Sequence, residues 1–96
     1  MQVLGQLKID KFIKKNRNAE DPLKSWLQEV IDCSLTTLSE IENKYKSADL
    51  LPNNRVVFHC IKGEFKLLTL VSCTNGIVII EKIGTIAEYS KWNINW

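Results

Sequence analysis

The hydrophobic period of this chain changes once, near its middle, and that change limits the folds open to it. Up to about Tyr45 apolar residues recur at helical spacing, with Ile9, Phe12 and Ile13 at i, i+3, i+4. From Arg55 onward "RVVFHCI", "EFKLLTLVSC" and "GIVIIEKI" are rich in β-branched and aromatic residues. Lys62-Gly63 and Asn75-Gly76 divide these runs and suit two-residue hairpin turns. Helices followed by a strand meander indicate an α+β, two-layer domain. With 96 residues the chain is long enough for one core, so residues 1–96 are expected to form a single domain.

Within the helical half, "MQVL" reads as a short first strand and Gln6 to about Asn16 as a helix. Lys8, Lys11 and Lys15 share its outer face, with Lys14 and Arg17 nearby, giving either a solvated basic face or a phosphate-contacting ridge. "EDPLKSWLQEVIDCS" predicts a second helix, with Asp21 as N-cap and Pro22 at its first position. Its core stripe is Leu23, Trp26, Leu27, Val30 and Ile31. Thr37 and Glu40 predict a capping box for a third helix carrying Leu38, Ile41 and Tyr45. "SADLLPNN" reads as a loop, and "GTIAEYSKW" as a short C-terminal helix started by Thr85.

Basic and acidic residues nearly balance, 13 against 11, so any cationic function must be local. The N-terminus lacks the apolar core of a signal peptide, and no apolar run approaches a bilayer span. No membrane association is expected. Cys33, Cys60 and Cys73 show no CxxC spacing and are expected to be small buried hydrophobes in a reducing cytosol. Three scattered Cys and one His are too few for a structural zinc site, and no metal or other cofactor is expected.

A two-residue Lys62-Gly63 turn sets Phe58 opposite Leu67, Cys60 opposite Phe65 and His59 opposite Lys66. Val56, Phe58, Cys60, Phe65, Leu67, Thr69 and Val71 then share the face that the helices cover. The reverse face holds Val57, His59, Lys66, Leu68 and Leu70, to which an Asn75-Gly76 turn adds Ile79, Glu81 and Ile83. A lysine beside the only histidine favours neutral imidazole. Neutral imidazole can accept a proton, and an ammonium can stabilise an oxyanion or a phosphate. Both could equally be exposed polar residues on a partly wet face. Tyr89 is a candidate for base stacking or proton donation, or a packing residue of the last helix. Arg55 and Lys62, near opposite ends of the second strand, are candidate phosphate contacts. Trp92 and Trp96 pack over the apolar sheet face or anchor a partner.

"PLKSWLQEV", "NNRVVFHCIKGEFKLL" and "IGTIAEY", in this order, resemble the HigB toxins of bacterial type II toxin–antitoxin systems, within the RelE/ParE superfamily. The similarity runs from about Val3 to Tyr89. It implies a RelE-like fold: N-terminal strand and helices packed on an antiparallel three-strand meander with a short C-terminal helix. It also implies a cytoplasmic mRNA interferase, an endoribonuclease that inhibits translation by cutting mRNA on the ribosome. The implied chemistry is metal-free attack of a ribose 2′-OH on the adjacent phosphate. The implied partner is a helix-turn-helix antitoxin encoded nearby, and the expected assembly is a homo-oligomer or a toxin–antitoxin heterotetramer.

Lys66 stands where the family has Arg, Ile86 where it has His and Ser90 where it has Asp, whereas Glu88 and Tyr89 match. The catalytic candidates are therefore Lys66, Tyr89 and His59, with His59 taking over the proton transfer that a histidine at position 86 would supply. Arg55, Lys62 and Glu88 are the RNA-binding candidates. The alternative is a catalytically weakened or inactive toxin fold that binds an antitoxin, or itself, through the apolar sheet face.

Overall fold

The computed structural model describes residues 1–33, 37–45, 48–60 and 65–92, with the side chain of Cys60 outside that description. Its elements run β1 (Gln2–Leu4), α1 (Gln6–Lys15), α2 (Glu20–Asp32), α3 (Leu38–Lys44), β2 (Asp49–Leu51), β3 (Arg55–Cys60), β4 (Phe65–Ser72), β5 (Ile77–Thr85) and α4 (Ile86–Tyr89). The class is α+β. The three antiparallel strands β3, β4 and β5 are extended on both sides, giving a five-strand mixed sheet in the order β1-β5-β4-β3-β2. Edge strand β1 pairs parallel to β5, and β2 pairs antiparallel to β3.

Alternation along the strands puts Val56, Phe58, Phe65, Leu67, Val71, Val78 and Ile80 in one core with Ile9, Phe12, Leu23, Trp26 and Ile41 from the helices. Trp26 and Tyr45 meet Phe58 edge-on, at centroid distances of 5.2 and 5.1 Å. Phe12 meets Phe65 the same way at 5.5 Å. Such T-shaped pairs are favoured by the ring quadrupoles.

Four local expectations are corrected. Helix α2 begins at Glu20 directly after a 3-10 turn over Arg17–Ala19, so Ala19 rather than Asp21 is its N-cap. Pro22 still lies in the first turn, where a missing N–H costs nothing. Ile31 is 40% exposed. It follows Val30 by about 100° of helix rotation, and the chain leaves the helix at Asp32, so Val30 takes the core position. Part of "SADLLPNN" is strand β2, joined to β3 by a tight turn in which Asn53 and Asn54 both take left-handed φ, near 63° and 62°. Asparagine tolerates that region better than other non-glycine residues. Cys33 is buried, but Cys73 is only partly so; both are free thiols.

The β4–β5 connection also differs. The pair Ser72–Ile77 leaves four residues, Cys73 to Gly76, in the turn, with Gly76 at φ 65°. A bulge follows: Thr69 pairs with Ile80 and Leu68 with Lys82, so Glu81 has no residue opposite it. The extra residue restores alternation out of phase, and Ile83 faces the core instead of the reverse face. The Lys62-Gly63 turn lies outside the described residues, but the register on either side of it sets Phe58 opposite Leu67 and His59 opposite Lys66.

Candidate active site

On the face away from the helices, β2, β3 and β4 bring three polar side chains into one line. His59 and Lys66 are cross-strand partners, and Lys66 Nζ lies 2.5 Å from His59 Nδ1. The other ring nitrogen, Nε2, lies 3.1 Å from Asp49 Oδ2. A carboxylate only accepts and an ammonium only donates, which selects the tautomer with its proton on Nε2. His59 Nε2–H donates to Asp49, and Lys66 donates to the lone pair on Nδ1. Both ring nitrogens are satisfied by a neutral imidazole.

The floor beneath this line is apolar. Val57 and Leu68, partners across β3 and β4 and next along from the His59–Lys66 pair, are 0% and 1% exposed. His59 is itself 12% exposed as a side chain, while Asp49 reaches into solvent. An apolar floor lowers the local dielectric, so the charges above it interact more strongly than they would in water.

Tyr89 enters from α4. Thr85 Oγ1 accepts from the Glu88 N–H, and Glu88 Oε1 accepts from the Thr85 N–H, a complete capping box that fixes this four-residue helix. Lys66 Nζ lies 5.5 Å from the Tyr89 ring centroid, a cation–π arrangement. Burial, and then the nearby Asp49 carboxylate, push the phenol above its ordinary pKa. Tyr89 therefore keeps its proton across the neutral range, fit to donate and unfit to act as a base.

The three catalytic candidates are thus brought together, whereas the RNA-binding candidates Arg55 and Glu88 are engaged with other groups. Arg55 faces the same side, but its guanidinium forks onto Glu81, with Nε 2.9 Å from Oε1 and a terminal nitrogen 3.4 Å from Oε2. The Glu88 carboxylate is committed to the cap of α4. Lys62 lies outside the described residues. Ile86 is exposed on the first turn of α4, and the Ser90 hydroxyl donates to the Ala87 carbonyl. Asp49 is the residue that sequence reasoning missed. The signal for it was the Asn53-Asn54 pair, which makes a tight hairpin and so sets Asp49 opposite Val57, diagonal to His59. Among the described residues no cluster of three His, Cys, Asp or Glu could hold a metal ion.

Among the described residues no helix is long and apolar enough to cross a membrane. No curated protein matches the sequence. Residues 19–92, well over half of the chain and carrying α2, α3, the strands β2–β5 and α4 with the whole Asp49–His59–Lys66–Tyr89 cluster, match a known family. The chain belongs to the HigB toxin family, the RelE-like toxic component of a toxin–antitoxin system.

Proposed function

We propose that this toxin is an endoribonuclease that cuts mRNA on the translating ribosome, in the cytoplasm, by attack of a ribose 2′-OH on the adjacent phosphate. The observation that carries the reading is the line Asp49–His59–Lys66 beneath Tyr89. An arriving phosphate draws the Lys66 ammonium off His59 and leaves Nδ1 with a free lone pair facing the substrate. His59 takes the 2′-OH proton while the 2′-oxygen bonds to phosphorus, with Asp49 holding the ring that becomes cationic. Lys66 stabilises the charge that builds on the phosphoryl oxygens. The bond to the 5′-oxygen breaks, and the Tyr89 phenol supplies the proton to that leaving group. The products are a 2′,3′-cyclic phosphate and a 5′-hydroxyl.

As a member of a toxin–antitoxin family the protein has an antitoxin as its implied partner. Growth without that antitoxin provides the test. Brief induction of the chain alone, with 5′ ends of cellular messages mapped by primer extension, is expected to give new ends inside translated frames. Lys66→Ala is expected to abolish them. A soluble, abundant wild-type chain that leaves messages whole would sink the nuclease reading and favour a toxin fold that only binds. The surface for that alternative is small: Leu4 and Ile79, partners across β1 and β5, are 41% and 36% exposed.

A further inference from the structure

The lysines of α1 have no part in the chemistry above, yet the fold gives them a built setting. Lys8, Lys11 and Lys15 line one side of an open cleft of about 370 Å³ between α1 and β5. Lys82 and Trp92 line the other side, the Lys82 ammonium 5.9 Å from the Trp92 ring centroid. Two acids also border the cleft, but both are committed, Glu81 to Arg55 and Glu88 to the cap of α4. Lys8 donates to the Glu81 main-chain carbonyl at 2.9 Å. Among the described residues, the Lys11 and Lys15 ammonium groups make no hydrogen bond or ion pair. Four cations against two carboxylates, one of them already paired with Arg55, leave the cleft net positive, which suits a polyanion.

Trp92 ties this cleft to the catalytic line. A Cβ at Gly84 would stand 2.8 Å from the Trp92 ring carbon Cζ2, so only glycine lets the indole lie against the strand. The same indole meets Tyr89 edge-on at 5.3 Å, and Tyr89 covers Lys66. Lys66, Tyr89, Trp92 and Lys82 therefore form an unbroken succession of cation and ring from the candidate active site into the cleft. A cationic groove combined with aromatic side chains is how proteins follow single-stranded nucleic acid, phosphates on the cations and bases on the rings. An acidic protein segment would use the lysines but not the aromatic link to Lys66.

We infer that the α1–β5 cleft binds the single-stranded RNA flanking the scissile phosphate, through Lys8, Lys11, Lys15 and Lys82, with a base against Trp92. The inference rests on the nuclease reading and names a further part of its substrate path. Its test is anisotropy of a labelled twelve-nucleotide 2′-O-methyl RNA, which cannot be cut, over a range of salt. Lys11→Glu with Lys15→Glu should weaken binding about tenfold at low salt and lower the salt slope by about 1.4, since each single-strand phosphate contact contributes about 0.7. Trp92→Leu should weaken binding several-fold with the slope unchanged. The same charge reversal at Lys14 and Lys24, outside the cleft, should do much less.

Wild-type affinity and slope in the folded Lys11/Lys15 variant would overturn the inference. So would loss of antitoxin binding by that variant with RNA affinity intact, which would assign the cleft to an acidic protein segment. A wild-type chain that neither binds this RNA nor cuts messages would overturn the nuclease reading itself, and the cleft inference with it. Messages cut by the wild type, with RNA affinity unchanged in the variant, would remove only the cleft.

Discussion

Strands β3 and β4 send alternate residues to two faces, and the two faces have different tasks. On one, Val56, Phe58, Phe65 and Leu67 pack into the helices with almost no exposure. On the other, Val57 and Leu68 are buried just as fully, but His59, Lys66 and Arg55 interleave with them at the rim. The core face is held chiefly by area and close packing, with the buried Thr69 hydroxyl donating to the Val56 carbonyl. The reverse face uses its apolar residues as a floor and its polar ones as a set of mutually satisfied groups. Burial on one sheet thus serves stability on one side and positions charge on the other.

Substitutions on each face should separate these tasks. Lys66→Ala carries the largest expected effect on activity, a loss of about 10²–10³ in cutting rate, the scale of removing one preorganised charge-stabilising group. Its urea midpoint should stay near wild type because the side chain is partly exposed; a large fall in stability would mean that Lys66 mainly holds the sheet. Leu67→Ala should show the opposite pattern. Deleting a fully buried core leucine costs about 3 kcal/mol, read as a lower urea midpoint, while the surviving folded fraction keeps its specific activity.

Asp49→Asn should lower the rate by about 10²-fold with the fold intact, because an amide can also donate to Nε2 and no longer selects the tautomer with a free Nδ1. Near wild-type cutting by Asp49→Asn would reduce the carboxylate to a bystander. Glu81→Gln should matter least. Its pair with Arg55 is partly exposed and worth under about 1 kcal/mol, and removing the negative charge beside the cleft should tighten RNA binding only a few-fold. Tyr89 gives a check on charge. The chain has two tyrosines, so an ultraviolet titration of Tyr45→Phe reports Tyr89 alone. Its midpoint should lie above 10.0, and one at or below that value would contradict the burial beside Asp49.

How much of this was legible in the sequence follows from where local chemistry decides and where it does not. The juxtaposition of His59 and Lys66 was legible because the two hydrophobic runs fit together in one register that gathers Val56, Phe58, Phe65, Leu67 and Val71 on the core side. The caps of α3 and α4 were legible because Thr37 with Glu40, and Thr85 with Glu88, are local hydrogen-bond partners. Asp49 was not. Strand β2 has three residues and follows no alternation of its own, so only pairing with β3 makes it a strand. The bulge at Glu81 was hidden for a related reason. "TNG" suits turns of more than one length, and tertiary packing chose a four-residue turn and then shifted the phase by one extra residue, which turns Ile83 to the core.

The 2′-OH mechanism is tested by cutting with purified toxin on programmed ribosomes, using two messages that differ only in the decoded codon. One carries ribose there, the other 2′-deoxyribose. Wild type is expected to cut only the ribose message, leaving a 2′,3′-cyclic phosphate, and Lys66→Ala to cut neither. Equal cutting of both messages, or unaltered cutting by Lys66→Ala, would contradict that mechanism.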